Sequence, residues 1–369
     1  MPALSLHDFH LARGATLTEI NGEEAAASYS SIEDEYTALT QTAGVIDLSF
    51  RGRVCVLGAD REKFLHGQVS NDILKLKVGQ GCYAALVTAK GRMQSDLFVF
   101  KLRDELLLDF EPGFTRTILD RLQKYIIAEE VEALDVAPHY GMLSVQGPLS
   151  AELLQKSSLA EILPNEPLNW TSTMSQEGES YVANNARFGL PGFDLFVPHA
   201  RMEATAQTLE EAAKSLRGSW VGFQACETVR IENGIPRFGI DMTETTIPQE
   251  AEIQERAVSY AKGCYIGQEV IARIRTYGQV AKALRIVGLP SGLSELPASG
   301  TKLFSAGKEC GFITSSTHSP RDNQKRALAY IRKEVNALGT MLHLGDSTGS
   351  EVQIIGIPGK RAESDALPD

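Results

Sequence analysis

Between Tyr83 and Phe110 three apolar stretches, YAALVTA (83–89), QSDLFVFKL (94–102) and ELLLDF (105–110), are separated by only a few residues, the first break being Lys90, Gly91 and Arg92. Strands spaced so closely must return antiparallel, because a parallel return needs a crossover of about a dozen residues or more. The sequence therefore predicts hairpins here. Beyond them Pro112 opens a segment in which Phe114, Ile118, Leu122, Tyr125 and Ile126 recur at helical spacing, and VEALDV (131–136) reads as a further strand. Hairpin strands with a helix on one face predict an α+β layer of ferredoxin-like type.

A second unit of similar make-up follows: strand MLSVQG (142–147), a helix begun by Pro148, strand FDLFV (193–197), and a helix carrying Met202, Ala206, Leu209, Ala213 and Leu216. Between them 157–185 is rich in Ser, Asn, Glu and Pro and reads as surface loops. Upstream, Ser30 and Glu33 form a capping box for a helix through Ile32, Tyr36, Leu39 and Ala43, and Asp60 caps a short helix through Phe64 and Leu65. From Ala281 onward short apolar runs alternate with Gly, Pro and Ser turns, which predicts a compact all-β barrel of about 80 residues. The polar tail KRAESDALPD is expected to fray.

With 369 residues, 43% of them hydrophobic and 22% charged, the chain can bury a large core in two or three domains. A formal net charge of -11 supplies no general basic field, so neither nucleic acid as main ligand nor an anionic membrane is expected. No apolar run reaches the roughly 18 residues of a bilayer span, and MPALSLHDFH lacks the basic start and apolar core of a secretory signal. Cys55, Cys82, Cys226, Cys264 and Cys310 are odd in number and scattered, with no CxxC pair, so no disulfide framework and no metal site of usual spacing is expected. These features point to a reducing, aqueous compartment, most simply a bacterial cytoplasm.

Candidate chemistry begins with Asp96. Alternation along QSDLFVFKL puts Asp96, Phe98, Phe100 and Leu102 on one face, expected to point into the core because three of the four are apolar. A carboxylate there needs either structural hydrogen-bond partners or a polar cavity in which it reads a ligand's N–H groups, and the pattern admits both. Asp194, after a Gly-Leu-Pro-Gly turn, reads as a turn residue satisfying backbone donors. Cys226 and Arg230 share a face of a helix expected from about 222 to 233, and Arg230 suits a pocket cation or a surface ion pair equally. The polar loop after it, with Arg237, Asp241 and Glu244, has the length and character of a functional loop.

Downstream, KGCYIGQE (262–269) sets Cys264 among Lys262, Gly263, Tyr265, Gly267, Gln268 and Glu269. Lys262 can stabilise a thiolate, yet no histidine lies between Ala200 and Thr317 to serve as base. Cys264 is thus a working thiol or a small residue at a bend. Arg273, Arg275, Lys282 and Arg285, with Lys262 upstream, read as a solvated strand face or the lining of an anion pocket. His66, in FLHGQ, reads as a surface or capping residue. Phosphate-loop, zinc-protease and serine-hydrolase signatures are missing from the sequence.

Taken in order, LHDFHLARGA (6–15), AGVIDLS (43–49), FLHGQVSND (64–72), KGRMQSDLFVF (90–100), LSVQGP (143–148), PGFDLFVP (191–198), ENGIPRFGIDMTE (232–244) and KGCYIGQE resemble the folate-binding family of the glycine-cleavage T-protein (aminomethyltransferase, GcvT) and its YgfZ-type relatives, from about Leu6 to Pro358. The resemblance implies two intertwined α+β domains, at 1–55 with 135–275 and at 56–134, and a C-terminal β-barrel at 280–360, with a flexible tail at 361–369, around a channel for tetrahydrofolate. It implies that Asp96 meets the reacting nitrogens of the pterin, that Asp194 grips the pterin ring, and that Arg230 or the basic run binds the glutamate carboxylates. The transferases commonly carry arginine where this chain has Cys226, and a KGDFIGRE-like sequence where it has KGCYIGQE. Both departures resemble the YgfZ branch, which implies an iron–sulfur client or assembly partner and a functional Cys264.

Overall fold

The three apolar stretches become strands Gln80–Val87, Met93–Lys101 and Leu106–Phe110, which join Gly52–Leu57 and Glu132–Asp135 in a five-stranded sheet, in that order. The first hairpin is closed by Thr88 N donating to Arg92 O at 2.8 Å, with Gly91 in the left-handed region at φ 71°. Helices Arg61–Gln68 and Thr115–Gln123 bury Phe64, Leu65, Ile118 and Leu122. The two faces of Met93–Lys101 differ. Met93, Ser95, Leu97 and Val99 are fully buried on one, while the Asp96 face grades from buried Leu102 and Phe100 to half-buried Phe98 and Asp96. The expectation that the Asp96 face points into the core therefore holds fully at Phe100 and Leu102 and only in part at Asp96. The last strand, Glu132–Asp135, is short and largely exposed.

A six-stranded sheet runs in the order Trp170–Ser175, Gly178–Asn184, Gly192–Pro198, Tyr140–Gln146, Gly44–Asp47 and Ser219–Trp220. Alternation along Gly192–Pro198 sends Phe193, Leu195 and Val197 to a core shared with Leu153, Leu154, Met202, Ala206, Leu209 and Ala213 of helices Ser150–Ser157 and Met202–Ser215. Asp194 and Phe196 take the other face. There Phe196 meets Phe100 of the five-stranded sheet edge to face, with ring centroids 5.6 Å apart. The segment 157–185, expected as loops, supplies the hairpin Trp170–Ser175 and Gly178–Asn184; its Thr, Ser and Asn residues suit a half-exposed edge.

The structure, a computed structural model, describes residues 3–278 and 280–359, so the tail at 361–369 lies outside it. The chain falls into two compact units, residues 1–84 with 95–226 and residues 85–94 with 227–369. Six strands of the second unit close a barrel in the order Lys282–Leu289, Lys325–Arg332, Lys308–His318, Lys302–Ser305, Met341–Leu344 and Glu351–Gly356, as expected from the short apolar runs. Three local expectations change. Asp60 precedes helix Arg61–Gln68 but its side chain makes no cap hydrogen bond and accepts instead from Glu130 N at 3.0 Å. Ser31 caps helix Ile32–Gln41, accepting from Asp34 N at 3.1 Å, while Ser30 N donates to Glu35 at 2.8 Å. Arg273 and Arg275, expected on a strand, lie on helix Gln268–Tyr277. Among the described residues no helix is long and apolar enough to cross a membrane.

Candidate functional site

Asp96 projects beside Tyr83 and Phe98 in the first unit. Tyr83 Oη donates to Asp96 Oδ2 at 2.7 Å, and the Tyr83 and Phe98 rings lie 5.1 Å apart. The other oxygen, Asp96 Oδ1, is buried and has no hydrogen-bond partner. Burial, reinforced by the charge of Glu111, pushes the Asp96 carboxyl up to about 6, against the Tyr83 hydrogen bond and Arg51. An acid so placed can hold or release a proton near neutral pH.

Around it two guanidiniums gather the buried acids. Arg51 donates through Nε to Asp109 Oδ1 at 2.7 Å and through Nη1 to Glu111. Arg187, in the turn between strands Gly178–Asn184 and Gly192–Pro198, donates through Nη2 to Asp109 and through Nε to both oxygens of Asp194, at 3.0 and 2.9 Å. Asp109 belongs to the five-stranded sheet and Asp194 to the six-stranded one, so Arg187 bridges them. Burial opposes ionisation of Asp109, but the Arg187 and Arg51 charges outweigh it and hold its carboxyl below the usual range. The guanidinium of Arg187 also lies over the Phe98 ring, 4.8 Å from its centroid.

Asp194 is fully buried in the strand rather than in the turn before it. Besides Arg187 it accepts from Ser144 Oγ on Oδ1 and Asn185 Nδ2 on Oδ2, both at 2.8 Å. Three donor groups hold this carboxylate, the single Arg187 Nε–H being shared between its two oxygens. Burial still lifts its carboxyl above the usual range, even against Arg187.

Arg230 and KGCYIGQE lie in the second unit, Asp96 and Asp194 in the first. Arg230 is neither a pocket cation nor a surface residue. At 2% exposure it donates to Glu227, to Asp241 at 2.8 Å, to the Ile235 carbonyl and to Ser315 Oγ. Asp241 also accepts from Thr314 and Ser315 of the barrel, whose hydroxyls converge because a bulge interrupts the register between Ile313 and Ser315. The network fastens the loop after helix Phe223–Glu232 to the barrel. Arg285, from the basic run, is likewise taken by Glu252 at 2.6 Å.

In KGCYIGQE, Cys264 is exposed, whereas Lys262 is buried with its ammonium 4.8 Å from the Tyr265 ring centroid. Gly267 sits at φ 87° before helix Gln268–Tyr277, and a Cβ there would stand 2.5 Å from Thr88 O, so glycine is required both by backbone and by space. Gln268 Nε2 reaches Gly263 O at 3.4 Å, and Glu269 pairs with Arg273 on the helix surface at 3.0 Å. None of the five cysteines is in a disulfide, and among the described residues no three His, Cys, Asp or Glu side chains form a metal-ligand group.

Residues 6–262 match the family described as the GCVT N-terminal domain, and 285–354 match the glycine cleavage T-protein C-terminal barrel domain. The chain is similar to the aminomethyltransferase of Geobacillus thermodenitrificans (strain NG80-2), 28% identical over 361 residues that cover 96% of this chain and 94% of the relative. It is similar also to that of Lysinibacillus sphaericus (strain C3-41), 26% identical over 344 residues, 93% of this chain and 92% of the relative. Among solved structures it is similar to glycine cleavage system aminomethyltransferase T from Bartonella henselae, with a TM-score of 0.85 at 22% identity and 97% of each chain covered, a likeness of fold.

Proposed function

The chain belongs to the GCVT N-terminal domain family, and on that premise we propose that it binds a tetrahydrofolate and transfers a one-carbon unit between that carrier and an amine. The observation that carries this reading is Asp96 Oδ1, a buried acceptor without a partner beside two aromatic rings. A flat, N–H-rich heterocycle fits that donor deficit and those walls. When bound, the folate would supply the nitrogen-borne one-carbon unit. Asp96 orients a ring nitrogen and holds the proton exchanged there, Tyr83 fixes the carboxyl by its second oxygen, and Asp109, Arg51 and Glu111 set the local charge. Relatives named aminomethyltransferase over more than nine-tenths of the chain support this chemistry.

The test is titration with tetrahydrofolate followed by an assay of one-carbon transfer to amines. The protein is expected to bind, and Asp96→Asn to weaken binding about tenfold or more, because a charge-assisted hydrogen bond is worth ~1.5–3 kcal/mol. No binding by the native protein, or unchanged affinity in the variant, would refute the assignment.

A second reading, a folate-binding accessory protein of YgfZ type that supports iron–sulfur enzymes, is favoured by one observation: Cys264 is exposed on a loop pinned by Gly267. In that case Cys264→Ser should keep folate affinity within about twofold while failing to restore iron–sulfur enzyme activities in cells lacking the protein. Full restoration by the serine variant removes the thiol from the mechanism.

A further inference from the structure

Both oxygens of Asp194 are already engaged, by Ser144, Asn185 and the shared Nε–H of Arg187. Arg187, in contrast, keeps one donor edge. Its Nε and Nη2 are committed to Asp194 and Asp109, whereas Nη1 makes no hydrogen bond to the described residues. The side chain is only 4% exposed, so that edge is not broadly hydrated. Nη1 thus presents N–H donors to a ligand where Asp96 Oδ1 presents a buried acceptor, with opposite polarity. The two groups are connected through aromatic contacts: Arg187 lies over Phe98, Phe98 packs on Tyr83, and Tyr83 holds Asp96.

We propose that Arg187 is a specificity-determining residue whose Nη1 edge donates to a ring carbonyl oxygen of the bound heterocycle, and that Asp194 and Asp109 are positioning residues that aim it. The inference rests on the folate reading and deepens it. The site then offers an acceptor at Asp96 and a charged donor at Arg187, which suits a ring carrying N–H groups and a carbonyl. A guanidinium is the appropriate donor because it is always charged and its planar fork is fixed at two other points. Replacing the carbonyl by an amino group sets donor against donor at Nη1, which discriminates more strongly than the loss of an apolar contact.

The experiment compares the affinities of tetrahydrofolate and its 4-amino-4-deoxy analogue for the native protein and for Arg187→Lys, which keeps the charge but loses the fork. The native protein is expected to prefer the oxo compound by about tenfold or more. In Arg187→Lys that preference should fall to within about twofold, whereas Asp96→Asn should weaken both compounds and preserve it. Equal affinity of the native protein for the two compounds overturns the role of Arg187 while leaving the folate reading standing, and needs no variant to fold. An undiminished preference in a folded Arg187→Lys overturns it as well. Failure of both compounds to bind the native protein removes the folate reading and this inference with it.

Discussion

Replacing Asp109 with alanine is expected to lower the unfolding free energy by about 3–5 kcal/mol, the cost typical of breaking a buried ion pair from one side. Asp109 is fully buried and accepts from Arg51 on one oxygen and from Arg187 on the other. Its removal strands two guanidiniums at the junction of two sheets. Arg51 keeps Glu111 and Arg187 keeps Asp194, so neither arginine loses every partner, but the shared charge that balances them is gone. The comparison is Asp120→Ala, which breaks the exposed Arg116–Asp120 pair at 2.9 Å and should cost less than about 0.5 kcal/mol. Urea denaturation of both variants checks the difference. A loss below about 1 kcal/mol for Asp109→Ala would show that the buried charges relax into water.

Asp96→Asn is expected to stabilise the protein above neutral pH while impairing ligand binding. The folded-state carboxyl titrates at about 6, whereas an unfolded aspartate titrates at about 3.9. Between those values the native state binds more protons than the unfolded state, so ionisation of Asp96 erodes stability as pH rises through the window. The loss is complete above about pH 6 and absent below about pH 4. Two units correspond to roughly 3 kcal/mol at most, and because Asp96 is half-buried, solvent screening reduces this to about 1–3 kcal/mol. The variant should therefore exceed the native protein in urea midpoint at pH 8 and match it at pH 4. Parallel stability curves across that range would exclude a strained carboxylate at this position. Stability lost to hold a reactive group is a common mark of a working site.

Asp96 is legible because an acid interrupts an apolar alternation, and Asp109 likewise breaks the apolar run of ELLLDF. Arg51, Glu111 and Arg187 carry no such local signal. Arg51 and Asp109 are 58 residues apart and meet through the pairing of Gly52–Leu57 with Leu106–Phe110, while Arg187 and Asp109 are 78 apart and meet only because two sheets stack. Asp194 was visible as a polar residue near a strand start, but its hydrogen bond from Ser144 depends on the pairing of Gly192–Pro198 with Tyr140–Gln146. The edge hairpin within 157–185 was hidden by composition, because a half-exposed strand of Thr, Ser and Asn looks like a loop. The basic run misled through its β-branched Val270, Ile271 and Ile274, which suit a strand yet fold as a helix when Gly267 supplies the turn into it. The barrel was plain because every short run has turn residues at both ends.

The exposed strand Glu132–Asp135 has an implication for self-association. If a second copy added its own Glu132–Asp135 antiparallel about a twofold axis, each Glu132 would face an Asp135, and the joined edges would oppose acid to acid at both ends. Four residues offer too little backbone to offset that repulsion. The sheet is thereby guarded against fibre-like growth along this border.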